Sequence, residues 1–153
     1  MQPQFVTKPA FTVVGMQIRT RPMAPEIPAL WGQFAPRIAE VQQMAEPDVS
    51  YGLMGRYDEN MSSFDYMAGV SAKSVGALPP GMITWEVPAL TYAVFDTPLS
   101  TVGATFGYIY NQWLATSGYQ QTVPFTFERY GETFNPEDPN STMSIYIPVE
   151  KKM

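Results

Sequence analysis

Residues 124–149 read PFTFERYGETFNPEDPNSTMSIYIPV, and their reading decides the fold. Alternating Phe and Thr, a turn cluster rich in Asn, Pro and Asp, and alternating Ile and Tyr spell two strands joined by a short connection. On the first strand, predicted over 121–130, Val123, Phe125 and Phe127 share one face. Thr122, Thr126, Glu128 and Tyr130 share the other. The Phe face is the natural core. Glu128 then needs an explanation, because a carboxylate among aromatics must be paired, neutralised or held for a cation. It either lies on an exposed sheet face beside an Arg or Lys, or it lines a cleft walled by rings. Periodicity leaves both open.

Working outward, the chain repeats itself. GLMGRYDEN (52–60) and FTFERYGET (125–133) share Arg-Tyr-x-Glu, 73 positions apart, which makes Tyr57 the counterpart of Tyr130. The order of elements around each copy is also the same. In the first half the strand-like FTVVGMQIRT (11–20) precedes a helical region, IPALWGQFAPRIAEVQQM (27–44), and then VSYGLMGRYDE and FDYMAGVSA. In the second, ITWEVPALTYAVFDT (83–97) precedes LSTVGATFGYIYNQWLATSG (99–118), then TVPFTFERYGE and TMSIYIPVE. Leu99, Val102, Phe106, Ile109 and Trp113 recur at helical spacing, with Ser100 or Thr101 placed to cap the start and Gly118 placed to stop it. Ile27, Trp31, Phe34, Ile38 and Val41 do the same in the first half, but Pro36 interrupts them. A short helical turn, a break and a helix from about Pro36 are predicted there. LPPG (78–81) divides the halves.

These patterns predict a single α+β domain over 1–153, built from duplicated strand–helix–strand–strand halves at about 8–77 and 82–150. The halves are expected to meet across a pseudo-two-fold axis, with an antiparallel sheet and a cleft at the seam.

Composition narrows the function. With no Cys and no His, thiolate nucleophiles, Ser-His triads and the usual zinc sites are excluded, and no cofactor or metal is expected. Nine Lys and Arg against 14 acids give a net charge of −5, without the basic stripe that direct nucleic-acid binding uses. No apolar run reaches the length of a membrane span, and no leader pattern opens the chain, so a cytoplasmic location with no membrane partner is expected.

The segments WGQFAPRI, FDYMAGV, YAVFDTPLSTVGATFGYIYNQWLATSGY and FERYGETFNPEDPNSTMSIYIPV resemble the GyrI-like effector-binding domain, over roughly residues 8–150. Such domains also form the ligand-sensing part of AraC-type and MerR-type multidrug-responsive regulators. The resemblance implies the duplicated fold found above and a cleft between the halves. It also implies a central glutamate that pairs with cationic ligands in several members, and Glu128 matches that position. Tyr92, Tyr110 and Tyr146, then Tyr57, Phe106 and Trp113, are the candidate aromatic walls. Phe106 and Trp113 lie on the apolar stripe of their helix and equally suit a core; Tyr110 flanks that stripe. Tyr146 faces away from Ile145 and Ile147, toward cleft or solvent. Trp31 reads as packing, and Trp85 as either lid or packing.

The leading expectation is a binding module for cationic, amphipathic aromatic compounds, with Glu128 meeting the charge. One alternative is a hydrolase of strained or electrophilic small molecules, with Glu128 as general base and a Tyr as acid. The other is a protein-interacting role, on gyrase or on a regulator in trans. No helix-turn-helix precedes residue 8, so a stand-alone module is expected. Edge strands allow a homodimer.

Overall fold

The computed structural model describes residues 2–60 and 62–153. Among them, the alternating segments form strands β1 (Gln4–Lys8), β2 (Phe11–Thr20), β3 (Ser50–Gly55), β4 (Phe64–Ala72), β5 (Ile83–Val87), β6 (Leu90–Pro98), β7 (Tyr119–Gln121), β8 (Thr126–Tyr130) and β9 (Thr142–Lys151). All pairings are antiparallel. The sheet order is β1-β6-β9-β8-β3-β4-β2-β5, with β7 added to β9.

The α+β class and the duplicated halves are as expected, and the seam is the β3–β8 pair at the middle of the sheet. Each half also lends a strand to the other. β1 joins β6 of the second half, and β5 joins β2 of the first. The stretch 83–97 is therefore two strands, because Pro88 lacks the N–H a continuous ladder needs. Only Pro9 and Ala10 separate β1 from β2, although these strands lie toward opposite ends of the sheet order. The sheet consequently curls on itself. Its concave face encloses Tyr51, Leu53, Met67, Tyr92 and Phe127.

The convex face carries the helices. α1 (Glu26–Phe34) buries Leu30 and Phe34 against Val14, Tyr66, Ala68 and Val70. Pro28 sits in its first turn, where an N–H would have no partner. The helix lies before Pro36, not after it: Ala35–Glu40 is a 3-10 turn, since Pro36 cannot continue the α ladder. α2 (Val102–Tyr108) passes through a π-helical turn, Ile109–Trp113, into a last turn, α3 (Leu114–Thr116). Thr101 makes no side-chain cap on α2; Leu99–Thr101 is a 3-10 turn instead. A buried Thr97–Thr105 hydroxyl pair, 2.8 Å apart, pins α2 to β6. Gly118, at φ +83°, ends the helical region in the left-handed conformation that glycine adopts most readily.

The predicted strand 121–130 is broken by Thr122–Phe125, around Pro124. The displacement of 73 also needs correction. It equates Leu53 with Thr126, yet Leu53 belongs to the concave cluster and Thr126 to the other face. Arg56, left-handed at φ 51°, changes the chain's direction so that Tyr57 still reaches the helical side as Tyr130 does.

Candidate ligand cleft

Along β8, Phe127 enters the concave core while Thr126, Glu128 and Tyr130 face the helical layer. Glu128 is 8% exposed. Directly across the seam stands Gly52. A Cβ there would fall on the Tyr66 hydroxyl and lie 2.6 Å from Glu128 Oε1. Glycine at this position is what lets a carboxylate and a phenol pack together across the seam.

Two phenols converge on one oxygen. The Tyr66 and Tyr130 hydroxyls each donate to Glu128 Oε1 at 2.8 Å. Trp31, from α1, donates its indole N–H to the Tyr66 oxygen at 2.9 Å, and its ring meets that of Tyr130 edge-on at 5.4 Å. Among the described residues, no hydrogen bond reaches Oε2 and no Lys or Arg pairs with the carboxylate. Arg129 is adjacent in sequence, but alternation sends it to the concave side, where it meets Glu46 at 3.2 Å. Burial pushes the Glu128 carboxyl above its ordinary value, and the two phenols only partly oppose that. Burial, and then the neighbouring Glu128 charge, holds the Tyr66 and Tyr130 hydroxyls protonated well beyond the usual phenol range.

Glu46 is the instructive contrast. Burial raises its carboxyl too, but hydrogen bonds from Tyr51 (2.7 Å) and Ser71 (2.9 Å) and the Arg129 pair reverse the shift. One acid is matched by a cation and the other is not.

Four of the candidates for the cleft group around the helical side of β8. Besides Glu128, Tyr57 packs on Phe64 and lies beside Thr126, and the 40%-exposed Tyr110 reaches Thr126 from the π-helical turn. Phe106 packs between the two helix-covered clusters. Tyr92 and Tyr146 are not brought to Glu128. Register pairs Glu128 with Ile145, so Tyr146 falls with Phe127 on the concave face, stacked at 4.5 Å, and Tyr92 meets the same ring at 5.1 Å. Trp113 packs with Phe5, Phe95 and Tyr119, away from the acid. Trp85 is in the concave core under the Arg56 guanidinium. Tyr66, Tyr130 and Trp31 were missing from the sequence candidates. Tyr66 had a signal, since Tyr66, Ala68 and Val70 alternate on one strand face beside the seam.

A curled antiparallel sheet with helices over one face is the architecture of a known kind of small-molecule binding domain. The chain belongs to the GyrI-like small molecule binding domain family, which it matches over residues 1–150. It is similar to the transcriptional regulator BrlR of Pseudomonas aeruginosa, 35% identical over 152 residues. That match takes in 97% of this chain and 56% of BrlR, so the chain spans about half the length of that relative. Among solved structures, SAV2435 bound to tetraphenylphosphonium superposes with a TM-score of 0.76 at 16% identity, over 98% of this chain and 94% of that one. EcmrR in its DNA complex superposes at 0.67 and 18%, over 98% of this chain and 57% of that one. At these identities the structural likenesses speak for the fold.

Proposed function

We propose that this domain binds lipophilic aromatic cations in the cleft between its halves, with Glu128 meeting the positive charge. The observation that carries the reading is a buried carboxylate that, among the described residues, has no partner cation and one oxygen without a hydrogen bond. An unmatched buried charge costs several kcal/mol, so a fold that keeps one gains by accepting a cation. The rings of Trp31 and Tyr130 stand beside it, and each face offered to a cation contributes about 0.5–2 kcal/mol. Tyr57, Phe106 and Tyr110 supply further apolar wall. The relative solved with tetraphenylphosphonium supports the same ligand class. In the chain's biological setting, such binding would serve a regulator as its sensing module, as the likeness to BrlR suggests.

Calorimetric titration with tetraphenylphosphonium and with neutral triphenylphosphine oxide tests this. The parent should prefer the cation, and Glu128→Gln should lower cation affinity by about tenfold or more while leaving the neutral compound unaffected. Equal binding of the cation by parent and variant contradicts the proposal.

A further inference from the structure

A cavity of about 270 Å³, open to solvent on one side, lies where the start of the chain meets the end of the helical region. Phe5 of β1, Trp113 of the π-helical turn and Tyr119 of β7 wall it, and Gln2, Thr116 and Ser117 add uncharged polar groups. Tyr66, Tyr130 and Trp31, which surround Glu128, do not line it. The Tyr119 ring stands within 14° of parallel to Trp113 and within 27° of parallel to Phe5, at centroid distances of 5.9 and 4.7 Å. Phe5 is nonetheless 47% exposed, on the strand that ends the sheet. Among the described residues, no charged side chain lines the cavity.

We infer that this cavity is a second binding site, separate from the Glu128 cleft, for an uncharged, planar, two-ring aromatic molecule. Size, charge and ring geometry each narrow the class. An apolar cavity of about 150 Å³ holds one benzene ring, so about 270 Å³ admits two fused rings and little more. An ion entering it would give up hydration and find no counter-charge. Aromatic rings prefer offset stacking, and the near-parallel rings of Tyr119, Trp113 and Phe5 offer a flat ligand that contact. The inference does not depend on the cation reading above. It also gives Trp113, which the structure keeps away from Glu128, a place in a different site.

Coumarin, an uncharged planar bicycle, is the probe, titrated into the parent protein and followed through the tryptophan side-chain signals by heteronuclear NMR. It should shift the Trp113 signals, assigned by their loss in Trp113→Phe, and leave those of Trp31 in place. Tetraphenylphosphonium should not displace it, and coumarin-3-carboxylate, of the same shape but charged, should bind at least about tenfold more weakly. Phe5→Ala should weaken coumarin binding about three- to tenfold, while Phe5→Tyr, which keeps the ring, should bind it as the parent does. Because Phe5 is half exposed, the Ala variant should fold and melt close to the parent. Trp113 signals that coumarin does not move, displacement by tetraphenylphosphonium, equal binding of the carboxylate, or parent-like affinity in Phe5→Ala overturns the inference. So does a parent dimer that Phe5→Ala dissociates, which would make this face a contact between copies of the chain. Failure of the cation reading shows separately, as unchanged tetraphenylphosphonium binding in Glu128→Gln.

Discussion

Glu128 and Glu46 show how alternation decides the fate of a charge. Both acids are hydrogen-bonded by tyrosine hydroxyls, and one arginine, Arg129, follows Glu128 in sequence yet meets Glu46 in the fold. Because neighbouring strand residues point to opposite faces, Arg129 serves Glu46 and leaves Glu128 to two phenols. Phenols can stabilise a carboxylate by hydrogen bonding but cannot cancel its charge, so Glu128 is held part-way: oriented at Oε1 and, among the described residues, without a hydrogen bond at Oε2. Gly52 is the other half of this arrangement. Gly52→Ala should lower stability by about 1–3 kcal/mol in denaturant melts and weaken cation binding, since the added methyl displaces the Tyr66 hydroxyl that Trp31 holds. Parent-like stability and affinity in that variant would contradict the role given to Gly52. The anomaly of a polar residue among aromatics raised the question at Glu128 but left both faces open, and the cleft role came from the family resemblance. Tyr66, Trp31 and Gly52 were not legible in the same way, because phenol, indole and glycine are unremarkable on a strand or a helix. Only the antiparallel register at the seam makes Tyr66 and Gly52 neighbours of the acid, and only the packing of α1 brings Trp31 to Tyr66.

At the scale of elements, segments with an uninterrupted period were read closely. β2 occupies 11–20 and β4 begins and ends with the alternation of FDYMAGVSA. The misreadings gather at prolines. Pro36 ends an α-helix that the apolar spacing alone would carry through, and Pro88 turns one apparent strand into two that go to different neighbours. Pro124 does the same to the approach to β8. In each case the apolar period continues past the proline because the same core is being lined, while the backbone ladder cannot. Which face Tyr92 and Tyr146 occupy was undetermined for another reason. Alternation shows that Tyr146 opposes Ile145, but only pairing with β8 shows that Ile145 is on the side of Glu128. The π-helical turn had no sequence signal at all. It keeps Ile109 and Trp113 buried while Tyr110 turns toward Thr126.

For the whole molecule, duplication supplies two similar scaffolds and a seam, and the exchange of β1 and β5 ties the halves together. The repeat was visible in the order of elements; the exchange was not, because short strands beside prolines carry little period. The single acid at the seam then gives the domain a pH signature. Burial raises the Glu128 carboxyl in the folded state, so a bound proton favours folding. That contribution is complete below the unfolded carboxyl value and is lost as pH rises through the higher folded one. The parent should therefore melt at a temperature that falls relative to Glu128→Gln between about pH 4 and pH 8, with the difference closing at the acid end. Glu46, shifted the other way, is common to both proteins and cancels in the comparison. Parallel melting curves across that range would contradict the assignment.

The most direct test of the central claim follows the Glu128 side-chain carboxyl carbon by NMR through a pH titration, with and without tetraphenylphosphonium. A carboxylate held for a cation should titrate above the ordinary value of about 4.3 in the free protein and move downward when the cation binds. An ordinary value in the free protein, or one that the bound cation does not lower, would contradict it.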